Sequence, residues 1–103
     1  MPKTLVVAFT SSISAPVNVD LSGYGIAPIW KIVKAQKFVG SDGTAAAAAS
    51  DLTLVNDGYK TTITPSAGEI ALTGDKKVTL GDGVDSKTIL ILTVITKDEV
   101  GIY

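Results

Sequence analysis

Short runs of apolar and β-branched residues alternate with clusters of glycine, aspartate, asparagine and serine along the whole chain. In residues 17–21 the alternation is strict, with apolar side chains at the odd positions, which indicates a strand that buries one face. Turn signals that recur about every 8–12 residues are typical of β-sandwiches and small barrels. The strands predicted in this way cover residues 4–10, 17–21, 51–55, 59–64, 69–73, 78–80 and 88–96.

Residues 29–39 fit two periodicities. At about 100° per residue, Lys31, Lys34 and Lys37 fall on one side of a helix and most apolar residues fall on the other. As a strand, the segment spreads its lysines over both faces, but it is rich in residues with high β propensity and a Gly-Ser-Asp-Gly loop follows it. We favour a strand at the edge of a sheet, with a helix as the alternative.

Two further segments complete the expected fold. Residues 88–96 are apolar or β-branched throughout, which predicts a central strand covered on both faces. The five alanines at 45–49 are too few for a self-supporting helix. The run is expected to form one helical turn at most, and a packed small-residue loop and a disordered connection are the alternatives. The chain is therefore predicted to be all-β, a single β-sandwich or small barrel of about seven to eight short antiparallel strands.

One domain is expected to span residues 1–103. Residues 1–16 either belong to its core or form an extended arm that is exchanged with a neighbouring copy, since an apolar stretch there precedes a flexible Ser/Ala-rich segment. The apolar run after Lys3 is shorter than a signal-peptide core, and no run is long enough to span a bilayer. We expect a soluble chain without a membrane partner.

The composition excludes several classes of chemistry. The chain has no cysteine and no histidine, which excludes disulfides, thiolate zinc sites and the commonest general base. It has no Gly-x-Ser-x-Gly elbow, no phosphate loop and no complete dinucleotide fingerprint. All nine basic residues are lysines and the net charge is −1, which argues against nucleic-acid binding. We therefore predict no catalytic, cofactor-binding or metal-binding residue, and no enzymatic activity.

The aspartates lie mainly in turn-like clusters, and Asp82 and Asp85 stand in a Gly-Asp-Gly-Val-Asp sequence that contains part of a calcium-binding loop. It lacks the remaining ligands and the closing glutamate of an EF-hand. The favoured interpretation is that these carboxylates stabilise turns by accepting hydrogen bonds from nearby backbone amides. Calcium binding is the alternative.

Aromatic residues are the candidates for an interface, because Tyr and Trp are favoured anchors of protein–protein contacts. Tyr24 stands between two glycines in a predicted loop, and Trp30 is the only tryptophan. Phe38 and Tyr59 complete the set of four candidates. Packing is nevertheless the favoured interpretation for Trp30, and packing in the core is an alternative for Phe38.

Three stretches resemble small β domains of bacteriophage and other viral virion proteins, such as head-decoration, fibre and spike domains. They are Gly-Ser-Asp-Gly-Thr-Ala at 40–45, Tyr-Lys-Thr-Thr-Ile-Thr at 59–64 and Lys-Val-Thr-Leu-Gly-Asp-Gly at 77–83. The resemblance implies a non-enzymatic capsid-decoration or cement protein in the virion. Its partners would be a capsid or other virion protein and further copies of itself, for instance in a trimer. The alternative is a receptor- or carbohydrate-binding module that uses Tyr24 or Trp30.

Overall fold

The computed structural model describes residues 1–39, 50–55 and 61–101, which form two four-stranded sheets packed face to face. The first sheet has the strand order β1 (Lys3–Ala8), β8 (Thr88–Thr96), β3 (Ile29–Val39), β4 (Ser50–Asp51). The second has the order β2 (Val17–Asp20), β7 (Lys77–Leu80), β6 (Glu69–Gly74), β5 (Thr53–Leu54). The predicted all-β, sandwich-like fold is confirmed.

Neighbouring strands are antiparallel except β5 and β6, which are parallel. The helical structure in the described ranges consists of two 3-10 turns, Ser22–Tyr24 and Lys97–Val100. The alanine run at 45–49 lies outside the described residues. Within the part of the chain that the structure describes, no helix has the length and apolar character that a membrane span requires.

The core lies between the sheets and is built from every second residue of the strands, as the pleat of a β-strand dictates. Full burial of each of these aliphatic side chains contributes about 1.5–3 kcal/mol to folding. The wholly buried core residues on the inner strands β8, β6 and β7 are Leu90, Leu92, Val94, Ile70, Leu72, Val78 and Leu80.

Strand β8 is central, as predicted, but only one of its faces is covered. Leu90, Leu92 and Val94 are buried, whereas Ile89 on the other face is 37% exposed and Ile91 is half-buried. The prediction that both faces are covered is wrong. A domain with only two layers gives each sheet one face against the core and leaves the other facing outward.

Residues 29–39 form a strand, so the helical alternative is excluded. Two bulges interrupt the pairing of β3 with β8, and each turns two consecutive residues outward: Trp30 with Lys31, and Val33 with Lys34. Strand β3 is not the edge strand that was expected, because it lies between β8 and β4 in the sheet. Among the described residues, β4 pairs with it at two positions, Gln36 and Lys37. Across the two bulges the buried residues recur at every third position: Ile29, Ile32 and Ala35.

The two sheets are joined along one side by Leu52. Its amide donates to the Ala35 carbonyl at 2.9 Å, while the next amide, of Thr53, donates to the Gly68 carbonyl at 3.0 Å. The chain therefore leaves the first sheet and enters the second within one residue. On the opposite side, Ile13 and Val84 form an isolated antiparallel bridge.

The strand predicted over residues 59–64 is not formed where the structure describes it. Residues 61–64 make a turn and an irregular segment without ladder partners, and residues 59 and 60 lie outside the described ranges. The buried Pro65 follows, which has no amide hydrogen for a sheet ladder. At the N-terminal end, β1 pairs with β8 of its own chain over six residues.

Candidate interaction surfaces

The side of the first sheet that faces away from the core, here called the outer face, carries many apolar side chains. Val6 is 53% exposed, Val33 42%, and Trp30 and Ile89 are each 37% exposed. Phe38 pairs with Ile89 across the ladder and is half-buried. Exposed apolar side chains on three adjacent strands make the outer face a candidate interaction surface, because large contiguous apolar patches mark interaction sites.

The charges on the outer face are predominantly positive. The Lys31 ammonium lies 5.4 Å from the centre of the Trp30 ring, which is a cation–π distance. Lys34 is exposed, and no acidic side chain among the described residues forms an ion pair with it. Asp51 lies at the β4 margin, where its carboxylate accepts a hydrogen bond from the Gln36 amide at 3.2 Å.

Strand β1 forms one edge of the first sheet, and its hydrogen-bonding directions follow from its register. The Phe9 amide donates to the Thr88 carbonyl at 3.0 Å, so odd-numbered residues of this segment face β8. In an antiparallel pair the bonded residues alternate. The amide and carbonyl groups of Thr4, Val6 and Ala8 therefore point away from the sheet.

One of these outward groups has a partner, because the Tyr24 hydroxyl donates to the Val6 carbonyl at 2.7 Å. Tyr24 belongs to the 3-10 turn that follows β2, and its ring is 43% exposed. The sequence-based candidate thus lies at the β1 edge.

The turn that carries Tyr24 is fixed at both ends. The Asp20 carboxylate accepts hydrogen bonds from Ser22, including one from its amide at 2.9 Å, and these bonds lower the pKa of Asp20. The Tyr24 amide donates to the Leu21 carbonyl at 3.1 Å. Gly25 ends the turn with φ at 67°, a left-handed conformation that glycine adopts readily. Local sequence therefore sets the position from which the Tyr24 side chain reaches β1.

The outward side of the second sheet is different in character, because it carries a groove lined by hydroxyl and amide groups. Segment 61–64 forms one wall of this polar groove, whose volume is about 510 Å³. On the opposite wall, the Thr79 hydroxyl donates to the Asn18 amide oxygen at 2.8 Å and is hydrogen-bonded to the Thr73 hydroxyl at 3.0 Å. The groove can offer hydrogen bonds but has no aromatic platform among its described lining residues.

The carboxylates of the predicted calcium-loop alternative are engaged in turns. Asp82 accepts a hydrogen bond from the Gly68 amide at 3.0 Å and lies 3.8 Å from the Lys37 ammonium. Asp85 accepts from the Lys87 amide at 3.0 Å and from the Thr88 hydroxyl at 3.1 Å. No cluster of three acidic side chains suited to a metal ion occurs within the described ranges. The structure thus favours the turn interpretation for both residues.

The four aromatic candidates do not form one cluster. Trp30 and Phe38 lie on β3 and contribute to the outer face, Tyr24 lies at the β1 edge, and Tyr59 is outside the described residues. Sequence reasoning missed the contribution of Val6 and the odd-numbered residues of β8. A period-two signal in 88–96 cannot reveal them, because both faces of that strand are apolar.

The chain matches no protein-family model, no curated protein and no solved structure. The features of the described residues that bear on function are therefore these two sheet surfaces and the β1 edge.

Proposed function

We propose that this protein is a non-enzymatic structural component of a virion, of the capsid-decoration or cement type, that binds a shell protein through its outer face. The observation that carries the proposal is the apolar outer face between Val6 and Trp30. Burial of apolar area drives protein association, and desolvated aromatic residues tend to dominate its energy.

The charges of the outer face determine the chemistry of the partner. Lys31 and Lys34 add positive charge to an apolar surface, so a complementary partner is apolar at its centre and acidic at its margin. Trp30 is suited to an anchor at one end of β3, and Lys31 beside its ring can meet a carboxylate of the partner.

The non-enzymatic role is supported by what the polar groups do. The chain has neither histidine nor cysteine, and the carboxylates of Asp82 and Asp85 accept hydrogen bonds from their own loops. Groups held in this way stabilise turns rather than activate a substrate.

The test is co-sedimentation with intact particles from the source, using Lys34→Glu as the variant and Lys77→Glu as its control. Both variants make the same charge change, but Lys77 is exposed on the second sheet. We expect the wild type and K77E to sediment with particles, and K34E to bind about tenfold more weakly, because a favourable rim charge becomes repulsive. Absence of the wild-type protein from particles, or equal loss in both variants, would contradict the proposal.

A receptor- or carbohydrate-binding module is the second candidate, favoured by the polar groove beside Asn18 and Thr73. On a glycan array, Asn18→Ala tests the groove, and Trp30→Ala tests the aromatic surface on the other sheet. Glycan binding by a protein that does not associate with particles would support this candidate and overturn the first. Loss in N18A alone would place the sugar in the groove.

A further inference from the structure

We propose that two copies of this chain pair antiparallel through the free edge of β1, about a two-fold axis at Val6, and that Tyr24 caps this edge in the single chain. The inference deepens the proposed function and rests on it for the expectation of self-association. Beyond the proposed function, this inference names the surface through which two copies pair, the register of the two strands, and Tyr24 as the residue that opposes pairing.

Apart from the Tyr24 hydroxyl, the β1 edge lacks, within the described ranges, the features that usually prevent edge pairing. Sheet edges are generally protected by charged residues, proline, bulges or very short strands. Among the other described edge segments, β4 and β5 have two residues each, β2 has four and includes Asp20, and the exposed part of β3 is bulged. Strand β1 has six residues in regular register, and its outward residues Thr4, Val6 and Ala8 are uncharged.

The outward groups of β1 are complementary to themselves. With the axis at Val6, the two copies of Val6 face each other, and Thr4 of each copy faces Ala8 of the other. Each facing pair exchanges two hydrogen bonds in an antiparallel ladder, so the three pairs form about six. The contact is isologous and closes as a dimer, which joins two first sheets into one eight-stranded sheet.

The side chains are compatible with this pairing. On the outer face, the two Val6 side chains become neighbours and the apolar surfaces of the two copies become continuous. Lys3 lies three residues from the axis, so the two Lys3 side chains are at opposite ends of the ladder. No like charges therefore face each other within the paired segment.

Tyr24 occupies the central acceptor of the edge. Its hydroxyl satisfies the Val6 carbonyl in the single chain and has to leave when that carbonyl accepts from the second copy. Tyr24→Phe retains the ring but removes the competing bond from both copies. We expect Y24F to lower the dimer dissociation constant about tenfold, since each such bond contributes modestly to stability.

Single-cysteine variants test the register, because the natural chain has no cysteine. The Cα atoms of a hydrogen-bonded facing pair are about 5.5 Å apart, which is within the range for a disulfide. Val6→Cys should form disulfide-linked dimers on mild oxidation. Neither Thr4→Cys nor Ala8→Cys should cross-link by itself, because the two copies of each residue are about 13 Å apart along the ladder. A mixture of the two variants should cross-link, because Thr4 of one copy faces Ala8 of the other.

Sedimentation equilibrium tests the surface. Val6→Lys places two positive charges at the axis and should keep the protein monomeric. Ile89→Lys adds the same charge to the outer face of β8, away from the edge, and should leave dimerisation unchanged. A cooperative unfolding transition in V6K, whose substitution is at a 53% exposed position, shows that the loss is not due to misfolding.

The outcomes separate the two proposals. A dimer that persists in V6K, or a V6C variant that fails to cross-link, overturns the edge pairing. This holds even when the wild type binds particles and K34E binds them more weakly, the result expected of the proposed function. A chain that stays monomeric at all concentrations, in Y24F as well, also overturns the pairing. Loss of the proposed function requires the separate result that the wild type does not bind particles.

Discussion

Gly81 lies where the loop before β6 passes against the chain that leaves β7. Its amide donates to the Glu69 carbonyl at 3.0 Å. A Cβ atom at this position would overlap the Ser66 carbonyl group and lie 2.6 Å from the Pro65 carbonyl oxygen. Since these are backbone atoms, and Pro65 is buried, neither side can move cheaply.

We predict that Gly81→Ala lowers the free energy of unfolding by about 3 kcal/mol, the upper part of the usual range for overpacking. Gly23→Ala is the control, because a Cβ there meets nothing within 4 Å and Gly23 does not have a positive φ. It should change stability by less than about 0.5 kcal/mol. Urea denaturation measures both, and equal midpoints for the two variants would contradict the close approach at Gly81.

Glu99 determines a second residue-scale property, the response of stability to acid. Its carboxylate lies 2.9 Å from the Met1 ammonium, accepts a hydrogen bond from the Thr96 amide at 3.0 Å, and lies 3.7 Å from the Lys3 ammonium. The ammonium of Met1, followed by the Thr96 bond, lowers the pKa of Glu99 to about 2 from its usual value of 4.5.

Because the folded-state pKa lies below the unfolded one, Glu99 stabilises the fold fully above pH 4.5, and its contribution is lost as pH falls towards 2. We predict that Glu99→Gln removes this part of the acid sensitivity. Denaturation at pH 6, 4 and 2.5 should show a smaller decline in the variant than in the wild type. NMR titration measures the pKa of Glu99 directly, and a value near 4.5 would be inconsistent with the ion pair.

At the scale of elements, β3 shows why its periodicity was ambiguous in the sequence. A regular strand repeats every two residues, but each bulge adds a residue, so Ile29, Ile32 and Ala35 face the core at intervals of three. This interval is close to the 3.6-residue period of a helix. Propensity and the following loop identified the strand, whereas the bulges could not be predicted because they depend on pairing with β8.

The outer face could be predicted only in part for a related reason. Trp30 and Phe38 were candidates because of their residue type, but Ile89 was hidden in a run that is apolar on both faces. Which face of β8 is outward depends on the number of layers in the domain, and this information is not local. Residues 61–64 failed as a strand because high β propensity does not provide a ladder partner.

For the whole molecule, the two-layer architecture produces two outward sides with different chemistry. The outer face beside Trp30 is apolar and cationic, whereas the groove beside Asn18 is lined by hydroxyl and amide groups. The β1 edge lies at the margin of the first surface. The proposed shell-binding face and the proposed dimerisation edge thus lie on the same sheet and do not compete for the same backbone groups.

The integrity of that sheet depends on β1. Removal of residues 1–9 takes away the buried Leu5 and the partly buried Val7, and it exposes the edge of β8. Loss of the buried Leu5 side chain alone costs about 1.5–3 kcal/mol. The contacts of Val7 and the β1–β8 hydrogen bonds are lost with it, against a total stability of about 5–15 kcal/mol for a typical domain. We therefore predict that the truncated chain loses its cooperative thermal transition, measured by circular dichroism.

A synthetic peptide of residues 1–12 added to the truncated chain should restore the transition, because the β8 edge accepts a strand from either source. The same peptide with Leu5→Asp is the control and should not restore it, since a carboxylate would enter the core without a partner. A truncated chain that melts within a few degrees of the full chain would show that residues 1–9 are dispensable for folding. Restoration by the unmodified peptide would instead show that β1 is a required strand that a second copy can also supply.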